Sequence, residues 1–240
     1  MEQGMDSLDQ VLEIQKPENE GLNETAVLEP RLMEIPEYGE VLVGGDPFGI
    51  AGQLDDNQGD NVLNAQGDCG LVSVTNILRQ AGMEVTEDEV VLAAVGNRLC
   101  SYSTDQDAGD NGGTNVYHRQ ALLSGYGIPA SVYSQWDTKK LDLEEIAEFV
   151  EAGHGVNISV NAGYAWNEPS YINDGGSNHS IIVTGTVRDP DTGELKGLIV
   201  CDSGIPGDSS AKVLSADTLR DAYSDVPTAS ALITDQPICA

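Results

Sequence analysis

Gln66-Gly67-Asp68-Cys69-Gly70, running on into Leu71-Val72-Ser73-Val74-Thr75-Asn76-Ile77-Leu78-Arg79-Gln80, is the stretch on which the reading of this chain turns. Val74, Ile77, Leu78 and Ala81 recur at the 3, 4, 7 spacing of one helical face, which predicts a buried helix. Asp68 is the N-cap candidate, and that puts Cys69 in the first turn. Free backbone N–H groups and the positive end of a helix favour a thiolate there, although the neighbouring Asp68 opposes part of the effect. Cys69 is therefore the nucleophile candidate. Its structural alternative is a small apolar residue that merely starts a core helix.

The 240 residues carry 40 acids against 11 Lys and Arg, a formal charge of −29. Such a surface repels a nucleic-acid backbone and an anionic membrane, so neither is expected as a partner, whereas a basic protein surface is compatible with it. Cysteines at 69, 100, 201 and 240 have neither the density nor the spacing of a disulfide scaffold or a zinc knuckle. The three histidines, 118, 154 and 179, are too dispersed for a metal site, and no cofactor or metal is expected. Met1-Glu2-Gln3-Gly4-Met5-Asp6 lacks the basic and apolar regions of a secretory signal, and no apolar run reaches 18 residues. The expectation is a cytoplasmic product, with export by a signal-independent route as the alternative.

Residues 1–40 hold 11 acids and two basic residues with weak periodicity, so residues 1–45 are expected as an acidic arm, in part disordered, ahead of a domain over 46–240. Val41-Leu42-Val43-Gly44-Gly45-Asp46-Pro47 suits a short strand followed by a turn; a double-glycine processing site is the weaker alternative. Residues 48–68, rich in Gly, Asn, Asp and Gln, form a long loop into the Cys69 helix, and Gly82 ends that helix. Thr86-Glu87-Asp88-Glu89 is a capping-box pattern opening a second helix. The acids at 105, 107 and 110 superficially resemble a calcium loop, but the twelve-residue pattern with its closing Glu is missing, and a polar turn is expected. Further helices are predicted over 115–124 and 141–152, with a strand over 130–133 between them.

Beyond residue 154 the period shifts to that of strands. Gly155 to Val160 alternates, Ser180 to Thr184 is β-rich, and Leu195 to Cys201 follows the turn Asp189-Pro190-Asp191-Thr192-Gly193. The last two form an antiparallel hairpin, and a short helix near 218–223 and a strand near 229–234 complete the tail. Helices first and strands last predict an α+β chain with one layer of each.

A thiol nucleophile needs a base, and the base an orienting acceptor. His118 falls within a helix and His154 between two glycines, but His179 opens the first strand of the hairpin and Asp202 closes the second. A tight hairpin makes those two positions neighbours, with Asn173 and Asn178 as substitute orienters should the register slip. The Cys69 N–H and the Gln66 side-chain amide are the candidate oxyanion donors, with Gln58 or Asn64 able to replace Gln66. Trp166 is read either as a shield for the imidazole or as a core residue.

Gly67-Asp68-Cys69-Gly70-Leu71, Asn178-His179-Ser180-Ile181-Ile182-Val183-Thr184-Gly185 and Leu198-Ile199-Val200-Cys201-Asp202-Ser203-Gly204 together resemble the papain-like cysteine peptidases, closest to the bacterial C39-like peptidase domains. The resemblance covers about residues 60–205. It implies a Cys-bearing central helix packed on an antiparallel sheet, and a Cys69–His179–Asp202 triad that forms an acyl-enzyme on a peptide or protein amide. Two departures stand out: that superfamily places its oxyanion glutamine five or six residues before the cysteine, and Gln66 is only three before it. Asp202-Ser203 also replaces the Asp-Pro of transporter-associated members, and without ATP-binding or membrane regions an exporter-fused maturation peptidase is disfavoured. Related domains in bacterial toxins and effectors deamidate glutamine or transfer acyl groups with the same residues. A non-catalytic acidic binding module is the alternative from another class.

Overall fold

In the computed structural model, residues 29–49, 54, 56–205 and 211–238 are described. The Cys69 run forms helix α1 (Cys69–Gln80), closed by Ala81 and by Gly82 at φ +79. Leu71, Val74, Ile77 and Leu78 are buried as the spacing requires, but so are Ser73, Thr75, Asn76 and Gln80 on the other faces. The two hydroxyl side chains among these find acceptors within the helix itself. Ser73 Oγ accordingly donates to the Cys69 carbonyl (2.9 Å) and Thr75 Oγ1 to that of Leu71 (2.9 Å).

Helix α2 (Glu87–Gly96) opens on the Thr86–Glu89 capping box, and α3 (Val116–Gly125) is capped by Asn115 with His118 returning the bond. Together with α1 they bury Leu54, Leu71, Ile77, Val90, Leu122 and Leu123 in one apolar cluster. At roughly 1.5–3 kcal/mol for each large side chain enclosed, this cluster anchors α1 against the sheet.

Among the described residues the sheet has eight strands, β1 (Arg31–Ile35), β2 (Gly39–Gly45), β3 (Ala130–Tyr133), β4 (His154–Val160), β5 (His179–Arg188), β6 (Leu195–Cys201), β7 (Lys212–Ser215) and β8 (Ser230–Pro237). All their pairings are antiparallel. The strand β5 is its axis. One edge of β5 pairs first with β4 (His179 opposite Val160) and then with β2 (Gly185 opposite Gly45), while the other takes β6. The β5–β6 turn is closed by the Gly193 N–H donating to the Asp189 carbonyl and by Asp189 Oδ1 accepting from Asp191 and Thr192. Side chains alternate across the sheet: Ile182, Cys201 and Leu232 face α1 to α3, whereas Ile181, Val183, Val200 and Ile233 face the opposite way.

That opposite face is covered by α4 (Leu143–Glu151) and by a short helix, Ala216–Leu219, running into a π turn, Arg220–Ser224. The chain is thus a mixture of helices and antiparallel sheet, but with helices on both faces rather than one layer of each. The apolar stripes of α4 and of Leu219, Ala222 and Tyr223 need a partner, and the second face of β4, β5 and β8 supplies it.

The boundary expected at residue 45 also changes. Residues 31–45 are a β-hairpin built into the sheet, with Val41 and Val43 buried against Val187 and Ile199. Residues 1–28 of the expected arm lie outside the described residues. Gly44 and Gly45 have a structural reason to be glycine, since a Cβ on Gly44 would stand 2.6 Å from Thr186 Oγ1 and Gly45 has φ +74. Among the described residues no helix is long and apolar enough to cross a membrane.

Candidate active site

The loop before α1 is held by its own polar side chains. Asp68 is fully buried but makes no side-chain cap bond; one carboxylate oxygen accepts from the Gly59 N–H (2.9 Å) and the other from Asn61 Nδ2 (3.1 Å). The capping expected of Asp68 is therefore replaced by a role in fixing the loop behind it. Gly67 donates to the Asn111 carbonyl (2.8 Å), and a Cβ on Gly67 would sit 2.8 Å from the Gly109 carbonyl. The close pass between these two loops sets where the helix, and hence Cys69, begins.

Glu87 lies against Asp68, and Asn61 Nδ2 also reaches it at 3.1 Å. Burial and the Asp68 charge push Glu87 up to about 9, so at neutral pH it carries a proton and donates it to Asp68.

On the sheet side, His179 begins β5 and Asp202 directly follows β6. His179 Nε2 is 2.6 Å from Asp202 Oδ1, with both side chains almost wholly buried. Gly204 N–H donates to the same oxygen (3.0 Å), and Trp166 Nε1–H to Oδ2 (2.7 Å). The Trp166 ring stands edge-on to the imidazole, centroids 5.0 Å apart. With Nε2 committed to Asp202, Nδ1 is the nitrogen left for Cys69, with which the ring shares a hydrogen bond.

The electrostatics follow from this enclosure. Burial alone would raise the Cys69 thiol, but the His179 ring, Arg119 and the Ser180 N–H outweigh it and hold the thiol below its ordinary value. Burial alone would likewise lower His179, yet the Cys69 thiolate and Asp202 raise it to about 10. Asp202 stays below the usual carboxylate range, since its bonds from His179, Trp166 and Gly204 overcome the cost of burial. A thiolate beside an imidazolium is the state these shifts favour, and it is a nucleophile with a proton donor in place.

A cavity of about 340 Å³ opens onto Cys69 and His179, walled by Thr114, Tyr117, Arg119 and Ser159 among others. Cys69 is half-buried and forms part of the wall of this cavity.

The fold thus brings together Cys69, His179 and Asp202, from a helix start, a strand start and a strand end. It does not bring Gln66 to them: that residue is exposed, its amide donates to Asn64 Oδ1 (3.3 Å), and it is absent from the cavity wall. Asn64 is exposed with it, and Gln58 Nε2 is spent on the Gln66 carbonyl (2.9 Å). Asn178 bridges the Ala162 N–H and the Tyr171 carbonyl, and Asn173 is exposed, so neither orients the imidazole. His118 caps α3, and His154 meets the Thr234 carbonyl through Nδ1 (2.6 Å). Sequence reading missed Arg119. Its signal was available, because Arg119 shares the buried face of α3 with Leu122 and Leu123 at the i+3 and i+4 positions.

No family model matches the chain. Curated relatives include uncharacterized proteins of Mycobacterium bovis and Mycobacterium tuberculosis, each 25% identical over 135 residues. These matches cover 49% of this chain and 58% of the relative, so the chain spans little more than half their length. Among solved structures, the crystal structure of a "putative C39-like peptidase" from Bacillus anthracis is similar in fold, with a TM-score of 0.50, 15% identity, and coverage of 77% of this chain and 96% of that one. The resemblance to C39-like domains on three short motifs thus extends to the fold.

Proposed function

We propose that the chain is a thiol hydrolase acting on a peptide or protein amide through Cys69, His179 and Asp202. The observation that carries this reading is the buried 2.6 Å bond between His179 Nε2 and Asp202 Oδ1, which aims the free Nδ1 at a helix-start sulfur beside an open cavity. Burying such a His–Asp pair carries a desolvation cost, offset here by the added bonds from Trp166 and Gly204, and it fixes the ring in one orientation and tautomer.

In this scheme the Cys69 proton passes to His179 Nδ1 and the thiolate attacks the amide carbonyl. The Cys69 N–H, at a helix start with no intrahelical acceptor, donates to the oxyanion. His179 then returns its proton to the leaving amine as the C–N bond breaks, leaving a thioester. Water, deprotonated by Nδ1, attacks the thioester and releases the carboxylic acid and the thiol. Asp202 keeps Nε2 protonated and the ring in register throughout. Gln66 has no part in this scheme, because its amide faces solvent.

Incubating a proteome-derived peptide mixture with the protein and with Cys69→Ala tests the reading. New termini that appear only with the intact thiol support it. Glutamine-to-glutamate conversion without new termini assigns deamidation to the same residues. Identical mixtures with both proteins, together with unchanged partner binding, favour a non-catalytic acidic module.

A further inference from the structure

Arg119 is a cation in an unusual place. It is 4% exposed, and among the described residues no carboxylate lies within ion-pair distance of it, in a chain with 40 acids. Its Nη2 donates to Ser159 Oγ (2.6 Å) and its Nη1 to Thr114 Oγ1 (3.3 Å), both neutral hydroxyls. Its Nε is buried without an acceptor. A guanidinium cannot shed its charge, so an unpaired one inside a protein is a standing cost.

Its position raises that cost. A Cβ on Gly70 would fall 3.1 Å from Arg119 Cδ and Nη1 and 2.0 Å from Thr114 Oγ1. Gly70 is therefore what lets the guanidinium lie against the first turn of α1, the positive end of the helix. The opposing charge that acts on it is that of the Cys69 sulfur. Acylation converts that sulfur to a neutral thioester, so the thiolate cannot balance Arg119 through a reaction cycle.

Building on the hydrolase reading for what enters the cavity, we infer that Arg119, with Thr114 and Ser159, forms a subsite for a carboxylate that the substrate carries close to the scissile carbonyl. The guanidinium fork matches two carboxylate oxygens. A surface charge of −29 repels anions in general, so capture here depends on this one local cation rather than on the field of the whole chain. The carboxylate can belong to an acidic side chain or to a free C-terminus, which share this chemistry.

Alkylation of Cys69 tests the subsite without requiring hydrolysis, so the two proposals fail separately. Iodoacetate and iodoacetamide each form an S–C bond and expel iodide, and both rates scale with the thiolate fraction, so their ratio isolates the response to reagent charge. The His179 imidazolium is common to all proteins compared. In Arg119→Gln the iodoacetate to iodoacetamide ratio should fall about tenfold, and Arg119→Lys should fall between. An unchanged ratio overturns the subsite. With the unmodified protein, N-acetylglutamic acid α-amide and N-acetylglutamine are compared with N-acetylglutamine amide for protection against iodoacetamide. Preferential protection by the first assigns a side-chain carboxylate, and by the second a C-terminal one. Equal protection by all three, or none, overturns the proposal even if the variants do not fold.

Discussion

Trp166 and His179 hold the two oxygens of one carboxylate, Nε1 on Oδ2 and Nε2 on Oδ1 of Asp202, while their rings meet edge to face at 5.0 Å. The indole therefore does two things at once. It covers one side of the imidazole and pins the acceptor that orients it.

Replacing Trp166 by Phe keeps an aromatic wall but removes the indole donor, leaving Oδ2 of a buried carboxylate without that partner. Thermal or urea unfolding should show a loss of about 1–2 kcal/mol. Amide cleavage should fall with it, as the Asp202 carboxylate gains freedom to turn.

Asp202→Asn removes the charge that holds His179 protonated at Nε2 and allows the wrong tautomer to face Cys69. Turnover on a cleaved peptide should drop by about 10³-fold or more, with KM little changed. The acid limb for Cys69 alkylation should move upward, because the imidazolium opposite the sulfur loses its counter-ion.

At Gly204 an added Cβ would lie 2.6 Å from Trp166 Cζ2 and 3.0 Å from His179 Cε1. Gly204→Ala must push one ring aside. We expect at least about tenfold loss of turnover, with a stability cost of about 1–3 kcal/mol by denaturant titration. Normal turnover in that variant would show that the ring positions are not critical.

The pH profile has a defined sign. Cys69 lies below the ordinary thiol and His179 is raised to about 10, so the ion pair should persist through neutral pH. Iodoacetamide labelling should reach its plateau well below pH 8.5, the midpoint of a free cysteine, and His179→Asn should shift the midpoint toward that value. Cleavage, which also needs the imidazolium proton, should fall again on the alkaline side as His179 titrates.

Glu87 and Asp68 supply a separate pH effect behind α1. Both carboxyls are raised in the folded protein, so the folded state binds more protons than the unfolded chain. Their contribution to stability is fully present below the ordinary carboxylate range and is lost as pH rises toward about 9, the Glu87 value. Glu87→Gln should flatten this decline and add about 1–2 kcal/mol above neutral pH, read from denaturation midpoints at pH 6 and pH 9.

Local chemistry wrote much of this fold into the chain. The spacing of Val74, Ile77 and Leu78, the Thr86–Glu89 box and the Asp189–Gly193 turn each act within a few residues, and α1, α2 and the β5–β6 hairpin appear where they point. Cys69, His179 and Asp202 were legible for the same reason, since each stands at the end of such an element. The strand at Val41 to Val43 was legible as well, but β1 and the docking of the hairpin on β5 were not, because β5 is about 140 positions away and the acidic composition of residues 1–40 hides the strand over 31–35.

What the sequence by itself determined is the identity and order of the elements, together with the ends at which reactive side chains sit, because helical and strand periods and caps are short-range. Only the tertiary structure decided which polar groups meet. The turn of Gln66 toward Asn64, the reach of Trp166 to Asp202 and the burial of Arg119 beside Gly70 all depend on contacts between segments far apart in the chain. Side-chain partners of that kind are set by packing, and spacing along the sequence carries no record of them.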